Sequence, residues 1–400
     1  MSRSEGNPAV VFMPGLLSGG GAERYAVGLA AALGRSGPVV LATDRGTKQD
    51  FQQQFGVDLH DVTIVHLPVM PGWSQRLPHA LFTLVEDTRW VRTLKRLRPS
   101  VFANCLYTSQ VPGIGATNVY VCHFPHRLDR QYSPWSRSAY MKVVGWLRGT
   151  LVTGNRSFLA GYDQILANSQ FTAGHVQQRW GRRAEVLYPP CPSMLVVGVA
   201  KQRRIVVVGR FEEPVAGVPN KRQDILIRAF TELTDLHAQG WELHVAGACP
   251  PRSGAYLDRL RRSAGVAPVH FHPNLSFAAL KELYSSAKIY WHAQGYGEPA
   301  DALPETQEHF GITTVEAMSA GAIPVVFDTA GPREVMLPVN GVGRWRESEE
   351  LLAETRRLAG LTGDELSRLA QDCRVRASEF SEHAFQTELH RHFPRSLNDG

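Results

Sequence analysis

Two α/β domains, each a doubly wound parallel sheet covered by helices, are what this sequence predicts, and three observations carry that expectation. The chain has 400 residues, more than a single hydrophobic core usually serves. Short apolar runs bounded by Gly and Pro alternate with stretches of i, i+3, i+4 apolar spacing, the signature of strands and helices in parallel βαβ units. Near mid-chain, Pro189-Pro190-Cys191-Pro192 stiffens the backbone and closes the first half. The expected division is 1–190, 191–365 and a final helical segment, 366–400.

Composition narrows the function classes. Hydrophobic residues make up 43% and charged residues 20%, as in globular chains with well-filled cores. The net charge of +6 favours anionic ligands such as diphosphates. The basic residues are scattered and no zinc-finger or RNP-like pattern accompanies them, so no nucleic-acid partner is expected. Five cysteines, with no C-x-x-C pair, read as reduced thiols of a cytoplasmic protein. The apolar run 9–17 is too short to span a membrane, is broken by Pro14 and Gly15, and lacks a cleavage pattern.

That run is instead the first strand, 9–13. A glycine-rich loop through Gly19, Gly20 and Gly21 follows it, and then a helix over 22–33. Strand, glycine loop and helix suit a phosphate. Arg24 stands where the last glycine of G-x-G-x-x-G would be, so the loop is not a dinucleotide fingerprint. Further strands are expected at 38–43, 63–67, 101–106 and 118–122. The helix around 89–98 surrounds Val91, Leu94 and Leu97 with five positive charges. It reads as a sheet-covering helix with a solvated basic face, the alternative being peripheral contact with an anionic membrane surface.

The strand at 118–122 delivers His123-Phe124-Pro125-His126-Arg127 at its carboxyl end, where such sheets place their ligands. Pro125 between the two histidines, and the lack of a third ligand, argue against a metal there. Residues 133–160 read as largely helical, 164–167 as a strand, and the helix that follows runs through Trp180.

In the second half a Val-rich strand at 204–209 ends at Arg210, and Lys221 stands at the head of a helix to 233. Two such cations can face a diphosphate, although alone they read as surface charges. Strands follow at 242–247 and 269–272, the latter leading into Pro273-Asn274-Leu275. The strand-like run 289–293 then opens a loop with Gly295 and Gly297. Residues 304–321, P-E-T-Q-E-H-F-G-I-T-T-V-E-A-M-S-A-G, place Glu308 in a loop and Glu316 one turn into a helix expected to begin near Thr313. Gly311 lets a ligand approach the backbone, the helix start offers N–H groups, and each carboxylate can accept from sugar or ribose hydroxyls. The plainer reading is a capping box, Thr313 with Glu316. A strand at 323–327, a helix opened by Gly331-Pro332-Arg333-Glu334, and helical spacing over 347–358 and 362–380, continued by Phe385, Leu389 and Phe393, complete the chain.

The string E-H-F-G-I-T-T-V-E-A-M-S-A-G-A-I-P-V-V resembles the E-x7-E segment of the family 4 glycosyltransferases, retaining enzymes of the GT-B fold. G-G-G-A-E-R, G-R-F followed by N-K-R-Q-D-I-L, and A-N-S-Q-F-T-A-G-H-V with V-L-Y-P-P-C resemble the same family, including its lipid-linked oligosaccharide mannosyltransferases. The resemblance implies two Rossmann-like domains facing each other across a cleft, with the last helices crossing back onto the first. It implies that Glu308 contacts the transferred sugar and that His309, Phe310, Gly311 and Ile312 line it. Glu316 would bind the ribose, Arg210 and Lys221 clamp the diphosphate, and Gly20 and Gly21 lie near the donor phosphate. His123, or less closely His126, would face the reacting side of the sugar, and Asn274 the base. The acidic insert 212–219 leaves Arg222 as a second choice to Lys221, and Ala330 replaces one glycine of the family's G-G pair.

The implied activity is hexosyl transfer from a nucleoside-diphosphate sugar to a saccharide, lipid-linked or small-molecule hydroxyl, with no cofactor. No metal is expected either, since the chain has no D-x-D tripeptide. E-H-F-G-I and Y-W-H-A tilt the donor toward GDP-mannose over UDP-sugars. The rivals are a GT-B nucleotide-sugar epimerase or phosphorylase and, disfavoured by the missing fingerprint, a nicotinamide-dependent oxidoreductase.

Overall fold

A computed structural model describes residues 6–16, 20–126, 135–154 and 158–393, except for the side chains of Trp73, Gln75 and 135–141. Residues 17–19 of the glycine loop and Arg127 lie outside this set. The chain divides into two compact units, one of Met1–Asn168, Thr172–Leu187 and Gln386–Gly400, the other of Ser169–Phe171 and Tyr188–Phe385.

In the first unit seven parallel strands are ordered β3-β2-β1-β4-β5-β6-β7. They are β1 (Ala9–Phe12), β2 (Val39–Thr43), β3 (Val62–His66), β4 (Val101–Asn104), β5 (Thr117–Cys122), β6 (Gln164–Ala167) and β7 (Glu185–Val186). β1, β2 and β4 are buried along their whole length, as expected of strands covered on both faces. The helix His79–Arg96 buries Val91 and Leu94 in this core and leaves Arg92, Lys95 and Arg96 exposed. Its apolar line is thus spent on packing, and the basic face alone meets solvent. Arg98, at φ 49°, turns the chain out of the helix ahead of Pro99. The helical stretch expected at 133–160 is a helix at Trp135–Arg148 followed by a π turn, Gly149–Thr153.

The second unit carries six parallel strands ordered β10-β9-β8-β11-β12-β13. They are β8 (Gln202–Val208), β9 (Glu242–Gly247), β10 (Val269–Pro273), β11 (Ala287–His292), β12 (Ile323–Phe327) and β13 (Gly343–Trp345). Strand order reverses between β8 and β11, and such a switch point leaves a crevice at the carboxyl ends of the two strands. The core is aromatic here. Trp291 donates to Thr355 Oγ1 at 3.0 Å, and Trp345 donates to the His292 carbonyl at 3.2 Å, which ties the end of β11 to the neighbouring elements.

The expected segment 366–400 does not stand apart. Residues 366–385 pack with the second unit, where Arg376 Nε donates to Val335 O at 2.9 Å and Phe380 lies 5.3 Å from Phe310, while residues 386–393 belong to the first.

The carboxyl ends of β8 and β9 approach so closely that a Cβ on Gly247 would lie 1.9 Å from Gly209 O. Gly247→Ala is expected to destabilise by about 1–3 kcal/mol, as overpacking does. A wild-type midpoint in urea denaturation would refute this contact.

Candidate active site

Glu308 is held by a loop that folds back on the switch point. β11 ends at His292, and the chain runs through a short 3-10 turn, Pro304–Thr306, before the helix Ile312–Ser319. Gln294 Nε2 reaches Gln307 O at 3.0 Å across this loop. From the far side Gly331 N donates to Glu308 O at 3.0 Å. That approach requires glycine, because a Cβ at 331 would stand 2.4 Å from Phe310 Cα. Ala330, which replaces the other glycine of the pair, takes φ 45°. Phe310 is buried against Tyr188 and Phe380 and anchors the loop from below.

Among the described residues, two side chains, Lys221 and His292, meet the Glu308 carboxylate. Lys221 forms an ion pair with it through Nζ, with 26% of the lysine side chain and 16% of the glutamate side chain exposed. His292 Nε2 lies 3.6 Å from Glu308 Oε2, just beyond hydrogen-bond reach, and among the described residues neither ring nitrogen has a hydrogen-bond partner. Burial works to raise the Glu308 carboxyl, but the Lys221 charge and the His292 ring outweigh it and hold the group below the usual carboxylate range. Burial lowers His292, so its ring is neutral.

Lys221 does not begin a helix, as its spacing suggested. The helix starts at Gln223, and Lys221 lies across Gly209, where a Cβ would come within 2.4 Å of Lys221 Cγ. Arg210 follows Gly209 at the end of β8, partly exposed and 3.5 Å from Glu212. Gln223 Nε2 braces this turn through Gly209 O at 3.2 Å and Arg210 O at 2.9 Å. Arg222 is turned away by its left-handed backbone, φ 50°. Its guanidinium is engaged by Tyr296 O and Asp224, so the cation beside Glu308 is Lys221.

The capping box between Thr313 and Glu316 does not form. Gly311, at φ 98°, is the N-cap, a backbone conformation that favours glycine, and the helix begins one residue earlier than expected, at Ile312. The first bonds back run from Thr314 N and Val315 N to Gly311 O, so the N–H groups of Ile312 and Thr313 lead the helix. Glu316 is 3% exposed and accepts from Tyr284 OH at 3.1 Å, while Thr313 Oγ1 meets Tyr290 OH at 2.8 Å. His309 stacks near Phe171, with ring centres 6.3 Å apart. Asn274, at φ 57°, spends its side chain on Cys249: Oδ1 accepts from Cys249 N at 2.8 Å and Nδ2 donates to Cys249 O at 3.3 Å. Any base held near Asn274 would therefore rely on the surrounding backbone.

The remaining candidates belong to the first unit. Gly20 is the N-cap of the helix Gly21–Gly34, in extended conformation, with no side-chain hydrogen bond capping the helix start among the described residues. His123 follows β5, is 4% exposed, and donates from Nε2 to Cys105 O at 3.0 Å. The carbonyl can only accept, so in the neutral ring the lone pair lies on Nδ1. Burial lowers His123 to about 4, keeping it neutral at physiological pH. His126 packs among Phe158 and Trp180, with ring centres 5.7 and 5.3 Å away, which is the setting of a core histidine.

The residue that sequence reasoning passed over is His292. It is a polar side chain ending the apolar strand Ile289-Tyr290-Trp291 beside the switch point, and that position was the available signal.

Residues 19–192 match the model of a family described as Glycosyltransferase Family 4, and residues 198–354 match that of Glycosyl transferases group 1. The human GDP-Man:Man(3)GlcNAc(2)-PP-Dol alpha-1,2-mannosyltransferase is 28% identical over 246 residues, 56% of this chain and 46% of that protein. The Yarrowia lipolytica protein of the same name is 29% identical over 228 residues, 51% of this chain and 33% of that protein. The chain thus spans about half or less of the length of these curated relatives. Among solved structures, Anabaena HepE in complex with UDP and glucose is similar at a TM-score of 0.63 and 17% identity, covering 96% of this chain and 99% of that one. WaaG, a glycosyltransferase involved in lipopolysaccharide biosynthesis, is similar at 0.63 and 16%, covering 98% and 100%. At these identities the likeness establishes the fold.

Lys221→Met leaves the Glu308 charge without its cation. Wild-type Glu308 has a depressed pKa, so its ionisation stabilises the fold above the unfolded carboxyl value, about 4.3, and that contribution is lost as pH falls toward the folded value. In the variant the folded value rises and the carboxyl protonates earlier. The variant is expected to be less stable at pH 7, with the gap to wild type closing on acidification; a gap independent of pH in denaturation series would contradict the pairing.

Replacing His292 with Phe fills the same space without a polar atom beside the carboxylate. The expected result is a folded protein in which Glu308 titrates at higher pH than in wild type, read by carbon-13 NMR of labelled glutamate. An unchanged titration would separate His292 from Glu308.

Proposed function

Since the chain belongs to the family 4-like glycosyltransferases of the GT-B fold, we propose that it moves a hexosyl group from a nucleoside-diphosphate sugar to an acceptor hydroxyl, with retention and without a metal. The observation that carries this reading is the convergence of Glu308, Lys221 and the Ile312–Thr313 helix start at the β8/β11 switch point. GDP-mannose is the favoured donor, supported by the GDP-Man mannosyltransferases to which half of this chain is similar. A lipid-linked saccharide is the favoured acceptor on the same ground. Contact with an anionic membrane surface would then rest on charge, through the exposed Arg92, Lys95 and Arg96.

In this reaction the bond from the anomeric carbon to the β-phosphate oxygen breaks, and its electron pair leaves with the nucleoside diphosphate. Positive charge builds on the sugar and negative charge on the departing oxygen. Arg210, Lys221 and the helix-start amides stabilise that departing charge, and Glu308 grips the sugar hydroxyls. Glu316 binds the ribose at the carboxylate it shares with Tyr284 OH. The acceptor oxygen adds on the face that the phosphate leaves, its proton passing to the leaving phosphate oxygen. His123 and the Gly20–Gly21 helix start keep the roles that the resemblance implies, near the reacting sugar and the donor phosphate.

Transfer from GDP-mannose, with release of GDP, is the direct test. Glu308→Gln and Lys221→Ala should each lower kcat/KM on the order of a hundredfold or more, as loss of a positioned transition-state group does. Near-normal turnover in both variants would remove this site. GDP at roughly a hundred times its Kd should raise the unfolding free energy by about 2.7 kcal/mol. A larger thermal shift with UDP than with GDP would transfer the donor assignment to UDP-sugars.

A further inference from the structure

The edge of the second sheet holds a second cluster of reactive side chains. β9 and β10 run parallel with His244 opposite His270. Side chains two apart on a strand share a face, so Glu242 and His244 on β9 lie on the same side as His270 and His272 on β10.

The distances are those of a ligand set. One donor atom each from Glu242, His244 and His270 lies within 4.8 Å of the others. His244 Nε2 is 3.1 Å from Glu242 Oε2, and His270 Nε2 is 3.7 Å from Glu242 Oε1. Two ligands of a tetrahedral zinc ion, each about 2.0–2.1 Å from the metal, stand about 3.3 Å apart. Small side-chain rotations therefore bring the three atoms onto one ion. His244 is buried, Glu242 partly exposed and His270 exposed, which gives a fixed anchor with an open mouth.

The second ring nitrogen of His244 supplies an independent observation. Its Nδ1 is 3.0 Å from His272 Nε2, with the two ring planes 5° apart. A histidine that ligates a metal through Nε2 holds its proton on Nδ1 and donates it to an outer partner. His272 stands where that partner is needed. Arg204 Nε lies 3.5 Å from Glu242 Oε2 and faces that oxygen as an ion pair, while Oε1 lies toward His270.

We propose that Glu242, His244 and His270 form a binding site for a divalent transition ion of the zinc type, with His272 as the outer partner of His244. Imidazole and carboxylate donors suit zinc, cobalt and nickel better than magnesium or calcium. Three protein ligands leave the fourth position to water. The ion clips the edge strand β10 to β9 and stabilises the second unit by mass action. It takes no part in the transfer proposed above, so the two readings stand or fall separately.

The test uses the full chain without an affinity tag and Co2+ as the probe. The expected result is a single saturable equivalent with the intense visible absorption of tetrahedral cobalt, displaced by Zn2+, and a rise in Tm with Zn2+. His270→Ala changes an exposed side chain and should leave the metal-free protein folded while weakening Co2+ binding by at least about tenfold. His60→Ala alters another exposed histidine, paired with Asp61, and should leave binding unchanged. Only weak octahedral Co2+ spectra, or wild-type binding by His270→Ala, would overturn the site. Equal loss with His60→Ala would mark the ions as adventitious and overturn it too.

Discussion

The ion pair between Lys221 and Glu308 is the constraint around which the second unit is built. Both side chains are largely withdrawn from water, and withdrawing charges costs several kcal/mol per ion unless geometry and further contacts repay it. The surroundings are arranged accordingly. Gly209 leaves room for the lysine stem to cross the end of β8. Gly331 lets the loop after β12 bond to the Glu308 carbonyl. His292 sets a neutral ring against the carboxylate, and Trp345 holds the backbone of that histidine in place. Removing either charge leaves the other stranded in a site shaped for two.

The same pair sets what the crevice can do with an anion. Lys221 is balanced by Glu308, so the diphosphate proposed to enter the switch point would share the lysine with a carboxylate. The further attraction would come from Arg210, which is partly exposed, and from the N–H groups of Ile312 and Thr313. Such dipoles need no counterion and little rearrangement as charge develops, which is why they serve a leaving group better than it is served in water.

Much of this was legible in the chain. Strand ranges followed from short apolar runs, and Glu308, Gly311 and Glu316 stood out because a carboxylate, a glycine and a helix start within nine residues form a recognisable chemical unit. What escaped was decided by contacts remote in sequence or by single backbone angles. Gly311 displaced Thr313 as the N-cap because its positive φ suits the turn into the helix. Arg222 was separated from Lys221 by a left-handed angle that no propensity reports. His292 acquired its role from Glu308, sixteen positions away, through the fold of the intervening loop. The allegiance of 366–385 depended on Arg376 and Phe380 finding Val335 and Phe310. The alignment of His244 with His270 is a matter of strand register, which neither strand encodes by itself.

Burial also sorts the histidines into different kinds of group. His123 is buried and neutral, with its Nε2 proton fixed by the Cys105 carbonyl, so its other ring nitrogen is an acceptor. His292 is buried and neutral too, but it faces a carboxylate, and there its useful atom is the nitrogen that bears the proton. A positive charge on His292 would compete with Lys221 for Glu308 and free the lysine, whereas a neutral ring adds a donor without altering the net charge. The low dielectric around His292 therefore serves the ion pair: it keeps the third member of the group from becoming a second cation.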